Sequence, residues 1–352
     1  MTTKIFEIKK LDQKIWLDNL TRELIISGTL NKMIENDGIC GITSNPTIFH
    51  KAFESDHNYK EDLQKIKLEP LGFEHRYESL VIPDIQSACD IFMPMYKSSN
   101  KEDGYVSFEL SPYLAHDTEN SILNAKRLWK TINKENLMIK VPATNEGIKA
   151  FEVLISEGIN VNITLLFSLP QVINTWNAYI RGLKTRYNKG LPIDSIKAVA
   201  SFFLSRIDNA IDTNLPANLQ GKAAISLAKT AYSKYLEIFG KEFKKLKDAG
   251  ARPQYLLWAS TGTKNPAYSD VLYVEELIGP ETINTVPYAT LEAFNDHGNS
   301  RLTLTKNLEE AEYILEQIKI SGINMEALGQ SLQIDGLKIF TESFDKLINL
   351  MK

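Results

Sequence analysis

Eight short apolar runs, separated by stretches of helical periodicity from one end of the chain to the other, restrict its fold more than any other property. They fall at residues 14–20, 38–45, 104–110, 137–143, 160–167, 198–204, 254–260 and 282–287. Such runs suit strands buried on both faces of a parallel sheet. The segments between them carry helix signals. Thr144 can cap a helix whose apolar stripe is Ile148, Phe151, Leu154 and Ile155, and Gly158 can close it. Residues 118–131, 169–186 and 219–248 behave similarly. Eight strand–helix units predict an α/β fold, the (β/α)8 TIM barrel, which needs about 250 residues and accepts insertions. The remainder of the 352 residues falls in two places. Residues 50–100 read as two further helices between the second and third strands, and the tail, about 295–352, reads as helices that lie across one barrel end. No Pro/Gly/Ser-rich linker divides the chain, so a single domain over 1–352 is expected. The alternative, an open doubly wound sheet, lacks a G-x-G-x-x-G turn after any strand.

Composition narrows the function classes. With 43% hydrophobic and 24% charged residues and a net charge of −4, the chain has no general pull toward nucleic acid or an anionic membrane. No stretch approaches the roughly 18 apolar residues of a membrane span, and the N-terminus has no apolar signal region. A cytoplasmic protein is expected. Two cysteines, Cys40 and Cys89, and five histidines lack the spacings of a zinc site or disulfide framework. They read as packed thiols, with no metal site.

One cation stands inside a buried run: Lys140 in Leu-Met-Ile-Lys-Val-Pro-Ala-Thr, residues 137–144. A buried ammonium costs several kcal/mol unless it is paired. Desolvation favours the free amine, a nucleophile; the plainer reading is a lysine whose stem lies on apolar surface while its head reaches water. The company it keeps favours chemistry. In a barrel, catalytic groups gather at the C-terminal strand ends, and Asp18, Asn45 and Glu109 sit at three of them. Asn162 and Thr164 share one face of the fifth run, and Ser201 and Phe203 one face of the sixth.

This set fits carbonyl chemistry through an imine. An iminium on Lys140 acts as electron sink for cleavage of a neighbouring C–C bond, Asp18 takes the proton of the departing alcohol, and Glu109 with Thr164 holds a water. Asn45, Asn162 and Ser201 supply neutral hydrogen bonds for hydroxyls. Arg206 after the sixth run, and Ala-Ser-Thr-Gly-Thr-Lys-Asn-Pro at 259–266, can hold an anion. The lysine supplies the electron sink, so no metal or organic cofactor is required.

These residues carry a family resemblance. Trp16-Leu-Asp-Asn, Gly41-Ile-Thr-Ser-Asn-Pro-Thr-Ile, Val106-Ser-Phe-Glu, Ile139-Lys-Val-Pro-Ala-Thr, Gly158-Ile-Asn-Val-Asn-Ile-Thr-Leu-Leu-Phe-Ser and Trp258-Ala-Ser-Thr-Gly-Thr-Lys-Asn-Pro resemble the transaldolases in their longer bacterial form. The resemblance runs from the first strand to the seventh, and Ala293-Phe-Asn-Asp-His-Gly extends it. It implies an enzyme of the pentose phosphate pathway that moves a dihydroxyacetone unit from sedoheptulose 7-phosphate to glyceraldehyde 3-phosphate. It also implies sugar phosphates as partners and a monomer or homodimer. Lys140 becomes the Schiff-base lysine, Asp18 the acid/base, and Glu109 and Thr164 the holders of the catalytic water. Thr43, Asn45, Asn162 and Ser201 become sugar contacts, Arg206 the phosphate arginine, and Ser260 another family position. Shorter members carry an arginine close after the strand-seven serine. This chain has Gly262, Thr263 and Lys264 there, and Lys264 is the replacement expected, a point charge without the arginine fork.

Two other readings remain open at this stage. A simple aldolase of the same fold would release dihydroxyacetone to water; Phe203 argues for transfer, since related fructose 6-phosphate aldolases carry a tyrosine there. A barrel that binds sugar phosphates without turnover would form no covalent intermediate.

Overall fold

The computed structural model describes residues 3–352, so the first two residues of the expected 1–352 domain lie outside it. The eight runs form β1 (Gln13–Leu17), β2 (Gly41–Thr43), β3 (Tyr105–Glu109), β4 (Leu137–Pro142), β5 (Val161–Leu166), β6 (Ala198–Phe203), β7 (Tyr255–Ala259) and β8 (Thr282–Val286). Each strand pairs in parallel with its sequence neighbours. β8 returns to β1 in a register running from Gln13 opposite Thr282 to Leu17 opposite Val286, which closes the (β/α)8 barrel. Helices cover the outside of the barrel and side chains fill the inside, so the strands are buried on both faces. That is why they read as apolar runs.

β2 is shorter than the run that announced it. After Thr43 the chain turns at Asn45, whose side chain accepts from Ile48 N at 3.0 Å, and Pro46 occupies the first helical position. The helix so started, α1 (Pro46–Ser55), precedes α2 (Lys60–Ile66) and α3 (Phe73–Ser98), so the insertion holds two helices beyond the one that follows β2. Next come α4 (Thr118–Ile132) and α5 (Asn145–Glu157). Thr144 caps α5 by accepting from Gly147 N, and Gly158, at φ 91°, ends it. α6 (Leu169–Asn188) opens with a capping box made by Ser168 and Gln171. A short α7 (Ser205–Ile211) follows β6 directly. The expected helix over 219–248 is interrupted: α8 (Ala223–Glu237) widens into a π turn at Ile238–Glu242 before Lys244–Asp248.

The tail forms α9 (Leu308–Ile320) and α10 (Met325–Asn349), and α10 lies across the C-terminal barrel end. Gln333 donates to Ala143 O at 2.9 Å and Leu165 O at 3.0 Å, two carbonyls at or just beyond the ends of β4 and β5. Two glycines let the helix come this close. A Cβ on Gly329 would stand 2.6 Å from Ser168 Cβ, and one on Gly336 3.0 Å from a Leu165 methyl. Leu165 itself has φ 63° within a break of the β5–β6 register.

The opposite barrel end is closed by side-chain ion pairs. Residues 99–104 run beneath it through three left-handed conformations, Asn100, Lys101 and Gly104. Glu102 meets Lys197 at 2.7 Å and Arg252 at 2.5 Å, while Lys14 pairs with Asp103. Lys197 is only 1% exposed and stands 3.9 Å from the Tyr255 ring centroid. Cys40 and Cys89 are buried free thiols whose pKa burial pushes up.

Candidate active site

At the C-terminal ends of the strands lies a cavity of about 310 Å³. Strand register fixes what surrounds Lys140, which lines it. Glu109 of β3 is paired with Lys140 of β4, and Lys140 with Asn162 of β5, so three polar residues form one row. Lys140 is 6% exposed. Its Nζ lies 2.5 Å from Glu109 Oε1 and donates to Ser44 O at 3.1 Å. The walls around this amine are therefore not purely apolar, because the neighbouring strand brings a carboxylate into contact. Burial pushes the Glu109 carboxyl up and Lys140 opposes the shift. Glu109 is thus a proton acceptor poised against the amine.

Asp18 follows β1 and borders the cavity. Thr43 donates to Asp18 Oδ1 at 2.9 Å and lies 2.8 Å from the Thr285 hydroxyl. Burial raises the Asp18 pKa; Lys140, Thr43 and Asn45 act against that rise. A carboxylate raised in this way is a stronger base near neutral pH. The acid limb of kcat/KM is expected above the ordinary Asp value of 3.8, because the active, deprotonated form is lost as pH falls through the raised pKa. Asp18→Asn should cost roughly 10²–10⁴-fold in kcat. A pH–rate profile checks both, and an acid limb at or below pH 3.8 would contradict the assignment.

Thr164 Oγ1 is buried, borders the cavity and makes no hydrogen bond among the described residues, which leaves it for substrate or water. Ser201, Phe203, Arg206, Ser260 and Lys264 line the same cavity. Asn162 does not. Asn162 is fully buried, donating to Ser107 Oγ at 3.1 Å and accepting from Ser201 Oγ at 2.6 Å. Here it holds Ser201, with its amide already satisfied by two hydroxyls. The Phe203 ring packs 5.2 Å from that of Phe167. Arg206 stacks 5.6 Å from the Phe203 centroid and keeps Nη1 without a partner among the described residues. Burial lowers its pKa, with only Asp335 acting the other way. An under-partnered guanidinium in a cavity that Lys264 also lines is a place for an anion.

Sequence reasoning missed several lining residues: Thr285 of β8, Lys51 of α1, and Ile339 and Phe340 of α10. The Phe340 ring centroid lies 5.9 Å from Lys140 Nζ. Nothing local marks Phe340, which reads as one apolar position of an amphipathic helix. Thr285 was accessible, being a polar residue near the end of the eighth run.

The family model described as transaldolase/fructose-6-phosphate aldolase matches residues 15–351. The chain is 48% identical over 347 residues to a transaldolase of Neisseria meningitidis, covering 98% of this chain and 99% of the relative. It is 47% identical over 350 residues to a transaldolase of Thiobacillus denitrificans, with 97% and 98% covered. With a transaldolase of Trichodesmium erythraeum it shares 46% identity over 371 aligned positions, covering 100% of this chain and 97% of the relative.

Proposed function

Because the chain belongs to the transaldolase/fructose-6-phosphate aldolase family, we propose that its cavity carries lysine-imine chemistry with Lys140 as nucleophile. The reaction is transaldol transfer: a dihydroxyacetone unit passes from sedoheptulose 7-phosphate to glyceraldehyde 3-phosphate, giving erythrose 4-phosphate and fructose 6-phosphate in the pentose phosphate pathway. The observation that carries the assignment is that Lys140, which lines a cavity together with Asp18, is in contact with the buried Glu109 carboxylate.

The neutral amine attacks C2 of the ketose, and the carbinolamine loses water to leave an iminium. Glu109 takes the amine proton and returns it to the departing hydroxyl; Thr164 steadies that water. Asp18 removes the C4 hydroxyl proton, the C3–C4 bond breaks, and its electron pair moves into the iminium as an enamine while the aldehyde departs. The enamine then attacks the acceptor aldehyde, Asp18 gives its proton to the new alkoxide, and water releases the product. Thr43, Asn45 and Ser201 contact the sugar hydroxyls, with Asn162 behind Ser201, and Ser260 lies on the wall beside the anion site. Arg206 and Lys264 hold the phosphate. Phe203 and Phe340 keep water from the enamine, which favours transfer over release. No helix among the described residues is long and apolar enough to cross a membrane; we place the reaction in the cytoplasm, on a monomer or homodimer.

Borohydride reduction in the presence of fructose 6-phosphate should leave a stable dihydroxyacetone adduct that peptide mapping places on Lys140. An adduct elsewhere, or none, would sink the reading. Free dihydroxyacetone should form far more slowly than transfer product; equal rates would assign a simple aldolase instead.

A further inference from the structure

Lys264 is exposed on the loop after β7, and its ammonium makes no hydrogen bond or ion pair among the described residues. Its place in the cavity is therefore set by the backbone that carries it. That loop is fastened at two points to the short segment that also carries Arg206, besides Thr261 Oγ1 donating to Thr285 O at 3.2 Å near its start and His297 Nε2 lying 2.8 Å from Asp270 Oδ1 just past its end. At one end Ser260, at φ 55°, has its hydroxyl 2.9 Å from Ser205 Oγ, and Ser205 N donates to Ser260 O at 3.1 Å. At the other end Tyr268 Oη donates to Asp212 Oδ2 at 2.7 Å. Between them Thr263 Oγ1 donates to Ser269 O, and Tyr268 N to Asn265 O.

The second fastening depends on the phenol. Asp212 is 7% exposed, and its other oxygen accepts from Gly221 N at 3.0 Å. The Tyr268 ring lies on Gly221, where φ is 70° and a Cβ would stand 2.9 Å from the ring. Elsewhere the ring borders a cavity of about 450 Å³ between α8 and α9. With open space beside it, packing alone does not hold the half-buried ring. The phenol pKa is pushed up to about 12 by burial and by Asp212, so the hydroxyl stays a donor at neutral pH.

We propose that the Tyr268–Asp212 hydrogen bond is a latch that positions Lys264 with Arg206 for phosphate binding, making Tyr268 a positioning residue for phosphorylated substrates. This rests on the assignment of Lys264 and Arg206 made above. Loss of the phenol removes the loop's far tie to the segment that carries Arg206, and Lys264 then spends less time where a phosphate is bound.

The test compares wild type, Tyr268→Phe, Lys264→Met and the double variant with saturating donor and two acceptors, glyceraldehyde 3-phosphate and unphosphorylated glyceraldehyde. Tyr268→Phe should raise KM for the phosphorylated acceptor about tenfold, the loss of one hydrogen bond to a charged group. Its kcat and its KM for glyceraldehyde should not change. The double variant should match Lys264→Met alone, because the latch acts through that lysine. Reductive trapping of dihydroxyacetone on Lys140, which needs no phosphate, should proceed at the wild-type rate in Tyr268→Phe. An unchanged KM in Tyr268→Phe, an equal rise for both acceptors, additive effects in the double variant, or a lost adduct would each overturn the latch. A Lys264→Met variant with wild-type KM for glyceraldehyde 3-phosphate would instead overturn the phosphate assignment, and the latch with it.

Discussion

Lys140→Met is expected to lower kcat/KM for transfer by at least about 10⁴-fold while leaving the barrel folded. Methionine keeps the unbranched stem among its apolar neighbours but cannot form the imine, and among the described residues no other one bordering the cavity combines a buried amine with an adjacent carboxylate. Removing one partner of a buried pair normally leaves a costly charge. Here burial already pushes the Glu109 carboxyl up, so it can take a proton instead. The sign follows from linkage. A carboxyl raised above its unfolded value binds more protons in the folded state, so its burial weighs against folding as pH rises through that interval. Without Lys140 the Glu109 pKa rises further, and Lys140→Met should lose more stability at pH 8 than at pH 5. Steady-state kinetics, borohydride trapping and urea unfolding at both pH values test this; activity within tenfold of wild type would end the imine mechanism.

The second large effect lies at the other end of the barrel. Glu102→Gln should destabilise the protein by about 2 kcal/mol at pH 7, whereas Lys197→Met should be neutral or stabilising. The figure sits below the roughly 3–5 kcal/mol of a fully buried pair because the Glu102 side chain keeps 34% of its surface in water. The asymmetry comes from what each change strands. Glutamine leaves Lys197, 1% exposed, without its carboxylate and beside Arg252 and Lys14. Methionine leaves Glu102 still held by Arg252 at 2.5 Å. Burial brings Lys197 down from 10.5 to about 8. The unfolded chain therefore binds more protons between those values, and this group makes stability rise with pH across that window. Glu102 shifts stability in the same direction with pH, but in a lower window. Burial works against its charged form, but Lys197 and Arg252 hold it below 4.5, so its contribution is present above that pH and lost as pH falls through the folded value. The Glu102→Gln penalty should accordingly be smaller at pH 9.5 than at pH 7. A pH-independent penalty, or a larger loss from Lys197→Met, would remove the ionic explanation.

Much of this molecule was legible before folding. The eight strands lie within or within one residue of the apolar runs, because both-face burial writes itself as continuous hydrophobicity. The α5 caps, Thr144 and Gly158, were local signals, since they satisfy backbone groups within one turn. Lys140, Asp18, Glu109 and Thr164 were visible as polar residues at strand ends. What escaped depended on packing between distant segments. The ion cluster under the barrel joins residues 14, 102, 103, 197 and 252, none of which stands out where it occurs. Asn162 was placed on the correct strand, yet whether its amide met substrate or Ser107 and Ser201 depended on three strands at once.

Period and polarity along the chain determined the barrel and the ring of reactive groups at its mouth, since alternation within a strand decides which side chains face inward whatever the neighbours are. Tertiary structure alone decided which of those groups touch: barrel register set Glu109 against Lys140, and the docking of α10 through Gly329 and Gly336 set Phe340 beside the Lys140 amine. Contacts of that kind are made across hundreds of residues by shape and register, and no local pattern encodes the distance at which two strands or a helix and a barrel come to rest.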